Sequence, residues 1–255
     1  MLRIPAIHCV TATAGAEVYQ SGLKAAEAVP FLLGGHDPRS QNWKNLPQSL
    51  RSIYEVLQRK TAKSRREAVK RYARNRMAPG ATWIGGFPSL VVGMPLPQTF
   101  EGLTDDTPKA GVLRVSLSTK TPNILLDGLG RLTGVLDLMD DETQPDNIRD
   151  WAANTVIPLT IFAAKAGETL TYEELGQLFH DFNALSTPVA KGQAVDLDKS
   201  DLYIRAATEV GRLEIIADHG GSDERAVSIP KSGKVWTTKT VLLKAVRAAA
   251  DGPGS

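Results

Sequence analysis

With 255 residues, 42% hydrophobic and 23% charged, the chain has the composition of a globular protein able to bury a sizeable core. A formal charge of +2 is too small to imply a nucleic-acid partner, so any such case rests on where the charges lie. The single Cys9 excludes an internal disulfide framework and a multi-cysteine zinc site.

The four histidines (His8, His36, His180 and His219) show no ligand spacing, so no metal site is expected. No apolar run reaches membrane-spanning length, and Met1-Leu2-Arg3-Ile4-Pro5 lacks the apolar core of a signal peptide. A cytoplasmic protein with no membrane partner is the expectation.

Residues 2–11 read as a strand with mixed alternation. Lys24 to Leu33 carries a short alanine-rich helical pattern that Gly34-Gly35 ends. Leu50, Ile53, Tyr54 and Leu57 share one face of a helix expected over Pro47 to Gln58.

From Gln58 to Arg76 the chain holds nine basic residues and one acid. Ser64 and Glu67 have capping-box spacing. On a helical wheel Ala68, Val69 and Tyr72 fall together, with Arg66, Lys70, Arg71 and Arg74 opposite. So long an uncompensated run favours an anionic partner, and phosphate is a common one. Lys63, Arg65, Arg66, Lys70, Arg71 and Arg74 are the expected DNA contacts.

Phe87 to Met94 reads as a buried strand, Gln98 to Lys109 as a loop, and Gly111 to Leu117 as a strand. Next comes Asn123-Ile124-Leu125-Leu126-Asp127-Gly128-Leu129-Gly130-Arg131, a strand that turns through glycines into a helix carrying Leu132, Val135, Leu136 and Leu138. Such a turn leaves backbone N–H groups free at the helix start, where an anion can sit. Gly128 and Gly130 permit close backbone approach, Asp127 supplies an acid and Arg131 a positive charge. The same pattern also serves as a plain strand–turn–helix connection.

Asp137, Asp140, Asp141 and Glu142 have the chemistry to hold Mg²⁺, but their place at the helix end favours a solvated cluster. Thr155 to Phe162 reads as a strand, Thr171 and Glu174 as a capping box for a helix over Tyr172 to Phe182, and Thr238 to Ala250 as a last helix. His180 beside Asp181 invites comparison with an acid–base dyad, yet neighbours on a helix point to different faces. One domain over 1–250 with a flexible tail at 251–255 is expected. The fold class is α+β: a small mixed sheet from residues 2–11, 87–94, 111–117, 123–126 and 155–162, surrounded by helices.

Four motifs in order resemble the DGQHR-domain family, which includes DNA sulfur-modification proteins. They are Leu57-Gln58-Arg59, Gly86-Phe87-Pro88, Leu126-Asp127-Gly128-Leu129-Gly130-Arg131-Leu132, and Leu178-Phe179-His180-Asp181-Phe182-Asn183 followed by Pro188-Val189. The resemblance implies a ParB/sulfiredoxin-like core with helical additions. It also implies a nucleotide site lined by Gln58, Arg59, Asp127, Gly128, Gly130, Arg131 and Asn183, taking ATP or GTP with Mg²⁺.

Where the family name has Gln-His, this chain has Leu129-Gly130, which sets binding ahead of hydrolysis. A DNA-binding regulatory or accessory protein, with DNA and other DNA-modification proteins as partners, is the first expectation. An NTPase with Asp127 as its catalytic residue is the second, and a structural subunit with an inactive pocket is the third. A homo-oligomer is compatible with all three.

Overall fold

The computed structural model describes residues 1–10, 13, 15–32, 63–82, 84–118, 120–184, 201–223 and 234–252; the side chains of residues 63–65 and 183–184 lie outside that description. The helix expected over Pro47 to Gln58, and with it Gln58 and Arg59, falls outside the described residues. The chain forms two compact units, Met1–Leu185 and Ser186–Ser255.

The first unit is α+β. Its strands are β1 (Leu2–His8), β2 (Glu17–Lys24), β3 (Leu90–Pro97), β4 (Thr99–Gly102), β5 (Lys109–Val115), β6 (Ile124–Asp127) and β7 (Val156–Ala164). They make one seven-stranded mixed sheet in the order β4-β5-β1-β2-β7-β3-β6. All neighbours are antiparallel except β3 and β7, which run parallel. The expected five-strand sheet therefore gains β2 and β4, and it is not small.

One residue, Gln98, joins β3 to β4, although these strands stand five places apart in the sheet. Laid flat, five strand spacings span about 24 Å. A single intervening residue bridges at most about 7 Å between Cα atoms. The sheet must therefore curl until the end of β3 meets β4. Gln98 holds that closure, with its Nε2 donating to the Leu96 carbonyl (2.7 Å) and its Oε1 accepting from Ser116 N–H (3.0 Å).

Inside the curl lie Ile4, Ala6, Tyr19, Leu23, Leu113 and Val115, all buried. Helices α1 (Ala25–Phe31), α2 (Lys63–Arg76), α3 (Leu129–Asp140), α4 (Asp146–Asn154) and α5 (Tyr172–Ala184) pack around it. Leu132, Val135, Leu136 and Leu138 of α3 are fully buried, as their spacing requires. The buried amide of Asn123 donates to the Phe31 carbonyl (2.9 Å), tying the approach to β6 to the end of α1. β3 is buried on both faces. Leu175 of α5 lies so close to Gly93 that a Cβ there would approach its Cδ2 to 2.6 Å.

The expected capping box on α5 is present. Thr171 N–H donates to Glu174 Oε2 (2.7 Å) and Glu174 N–H donates to Thr171 Oγ1 (3.2 Å). The Thr171 N–H, joined by the Thr171 hydroxyl (2.8 Å), holds the Glu174 carboxyl below its ordinary pKa.

The second unit contains α6 (Leu202–Gly211), α7 (Glu214–Asp218), α8 (Lys239–Asp251) and a short parallel pair, β8 (Ser222–Asp223) with β9 (Thr237–Thr238). Ile204, Ala207, Ile216, Leu242 and Leu243 form its core. Asp201 caps α6 through the N–H groups of Tyr203 and Ile204, and Thr238 caps α8 through Val241 N–H.

Candidate functional site

The glycine turn forms as the sequence implies. β6 ends at Asp127, Gly128 takes a left-handed φ of +99°, and α3 begins at Leu129. A Cβ at Gly128 would overlap Leu90, so both backbone conformation and space require glycine there. By position, the N–H groups of Leu129 and Gly130 have no intrahelical acceptor.

Arg131 folds back across this turn. Its Nη2 donates to Asp127 Oδ2 (2.7 Å) and to the Ser89 carbonyl (3.3 Å), while its buried Nε has no hydrogen-bond partner among the described residues. The Arg131 side chain is 22% exposed and that of Asp127 45%. The acid and the base thus pair with each other at the mouth of the turn.

Leu129, which follows Asp127-Gly128 in the turn, is only 4% exposed and belongs to the core. Asn183 lies in the last turn of α5. The ring of its neighbour Phe182 meets Phe162 of β7 edge-on at 5.6 Å, two strands from β6. The structure thus gathers Asp127, Gly128, Gly130 and Arg131 at one turn, and carries the end of α5 over β7.

The basic helix lies along α3. A Cβ on Gly134 would come within 2.6 Å of Val69 Cγ1 and 3.2 Å of the Lys70 nitrogen, so the two backbones nearly touch. Past the C-terminal end of α3, Lys70 reaches Asp141 and Arg74, one turn after Lys70, reaches Gln144, so α2 and α3 run in the same general direction. From Gly134 back to Leu129 is about 7.5 Å and from Val69 back to Lys63 about 9 Å. The first residues of α2 are therefore level with the Gly128 turn.

The expected division of faces on α2 needs correction. Ala73 is fully buried with Val69 beside it, whereas Ala68 is exposed. Arg66 and Lys70 flank the buried face, and Arg71 and Arg74 stand on the outer one. Ser64 lies inside the helix rather than ahead of it.

Lys70 Nζ sits 2.5 Å from Asp141 Oδ2. Asp141 also accepts from the Thr143 N–H (3.0 Å), the Thr143 hydroxyl (2.6 Å) and Gln144 Nε2 (3.2 Å). The Lys70 ammonium first, then the Thr143 bonds, hold the Asp141 carboxyl far below the usual carboxylate range. Asp141 is therefore a bonded anchor and not the freely solvated helix-end acid expected. The sequence spacing of Lys70 and Asp141 carries no trace of this contact.

His180 Nδ1 and Asp181 Oδ1 do approach each other (3.3 Å), but on the surface, with the Gln177 amide also bonded to Asp181. A second cluster has no signal in the sequence. His8 Nε2 meets Glu17 Oε2 at 2.6 Å, and the His8 ring stacks on Tyr19 and tilts against Phe100. Burial, reinforced by Glu17, pushes the Tyr19 phenol up to about 12. The β1–β2 pairing of His8 with Tyr19 creates that cluster.

Among the described residues no group of three or more His, Cys, Asp or Glu side chains could hold a metal ion. Likewise, no helix is long and apolar enough to cross a membrane. No protein-family model matches the chain, and no curated protein or solved structure matches it.

Proposed function

We propose that this chain is a DNA-binding regulatory or accessory protein of a DNA sulfur-modification system, in the manner of the DndB regulators of the DGQHR-domain family, built on a ParB/sulfiredoxin-like core. One observation carries the proposal: the basic helix and the glycine turn share α3 as a scaffold, with the start of α2 level with Gly128. Parallel helices place their positive poles at the same end, and Arg131 adds a cation there. A phosphate at the turn and a duplex along α2 would both be drawn to that end of the unit.

The Asp127–Arg131 pair favours a second reading, in which the turn is structural and its cation already satisfied. One titration series separates the two. Wild-type protein is titrated with duplex DNA, with and without ATP or GTP, over a range of salt. The proposal expects binding that weakens by roughly 0.9 log units per phosphate contact for each tenfold rise in salt.

It also expects Asp127→Asn to tighten nucleotide binding by freeing Arg131, and Arg131→Ala to abolish it. Charge-assisted bonds of this kind contribute about 1.5–3 kcal/mol. DNA affinity indifferent to salt refutes the DNA assignment. Nucleotide binding absent in both wild type and Asp127→Asn establishes the structural turn.

A further inference from the structure

The basic residues of α2 divide into two chemically different sets. Lys70 is neutralised: its ammonium lies on Asp141, and the two side chains are only 20% and 16% exposed. Arg74 is held but, among the described residues, not neutralised. Its Nε donates to Gln144 Oε1 (2.6 Å) and its Nη1 to Asn75 Oδ1 (3.5 Å), and both acceptors are uncharged amides. Arg71 is exposed on the same outer face, three residues before Arg74.

The two sets are joined through one side chain. Gln144 donates its Nε2 to Asp141 Oδ2 and accepts from Arg74 with its oxygen, so the amide has one sensible orientation. The chain of bonds runs Lys70, Asp141, Gln144, Arg74. An ammonium held in such a pair cannot also meet a phosphate without giving up Asp141. An arginine whose Nε alone is strongly engaged keeps its charge and its terminal nitrogens.

We infer that Lys70 is a positioning residue: through Asp141 and Gln144 it sets the pose of Arg74, and Arg74 with Arg71 contacts the phosphates of a duplex while Lys70 contacts none. This rests on the proposed DNA-binding role and narrows it to one outer stripe of α2.

The distinguishing readout is the salt dependence of binding, because it counts phosphate contacts and a purely positional role leaves it alone. Binding of a 20-base-pair duplex is followed by fluorescence anisotropy over a salt series, with thermal unfolding recorded for every variant. Arg71→Ala and Arg74→Ala should each flatten the log–log salt slope by about 0.9.

Lys70→Gln should keep the wild-type slope while weakening affinity about two- to fivefold at every salt concentration. Asp141→Asn should do the same. The Lys70→Gln/Asp141→Asn double variant should lose no more than either single one, and Lys70→Arg, which can still pair with Asp141, should bind as wild type.

A slope lowered by about 0.9 in Lys70→Gln, or tighter binding by Asp141→Asn, overturns the inference while leaving the DNA-binding role standing. Wild-type protein without salt-dependent binding overturns both.

Discussion

The closeness of α2 to α3 can be measured by adding one methyl group. In Gly134→Ala the new Cβ would lie 2.6 Å from Val69 Cγ1, 3.0 Å from Val69 Cβ and 3.2 Å from the Lys70 nitrogen. Carbon atoms prefer about 3.5–4.0 Å, so α2 must retreat by several tenths of an ångström. Overpacking of this kind costs about 1–3 kcal/mol. Against it stands a gain of about 1 kcal/mol, because alanine is a far better helix former than glycine.

The expected net result is a loss of about 0–2 kcal/mol in urea unfolding followed by circular dichroism. Val69→Ala removes the closest atom and leaves the contacts at 3.0 and 3.2 Å. In that background Gly134→Ala should therefore cost about 1 kcal/mol less than in the wild type. A Gly134→Ala protein stabilised by the full helix-propensity gain, with no coupling to residue 69, would refute the packing of α2 on α3.

Three further outcomes are expected. Asn123→Leu orphans the buried Phe31 carbonyl and should cost about 1–3 kcal/mol in the same unfolding assay; an unchanged midpoint would remove that bond from the stability of the unit. Thr171→Ala removes the α5 cap and should cost about 1 kcal/mol, while Thr171→Ser should cost less.

Because folding lowers the Asp141 pKa, its pairing contributes stability that is present above the ordinary carboxylate range and is lost as pH falls toward the depressed folded value. Carbon-detected NMR should show the Asp141 carboxyl still ionised below the ordinary aspartate pKa, and a normal titration would dissolve the Lys70 bond.

The sequence made the core of α3 legible because four apolar residues at helical spacing leave few other arrangements. The α5 cap was legible for a similar reason, since capping is local chemistry. β2 was not. In Glu17–Lys24 the adjacent Val18 and Tyr19 are both buried, which breaks the alternation that marks a strand, and Gly22 weakens it further. β4 has one hydrophobic residue, Phe100, and exists as the first arm of a hairpin with β5, so it carries no apolar pattern of its own to read. At the site, the turn at Gly128 is a local event and could be read from its residues. The Lys70–Asp141 contact spans 71 positions, arises from helix packing, and left no pattern to read.

A glutamine at position 129, as in the family the motif resembles, would not point into the turn, because Leu129 is 4% exposed and packs into the core behind it. Leu129→Gln loses leucine burial and leaves an amide to find partners among apolar side chains. The combined cost should be about 2–5 kcal/mol.

Positioning attacking water is most of what phosphoryl transfer asks of a protein, and here Asp127 is committed to Arg131. The purified protein should therefore show little NTP hydrolysis with or without DNA, and Leu129→Gln should lower its unfolding midpoint without raising turnover. A release assay for inorganic phosphate decides the matter. Rapid wild-type turnover that disappears in Asp127→Ala would show that the carboxylate leaves Arg131 to act on water, and would put the NTPase ahead of the regulator.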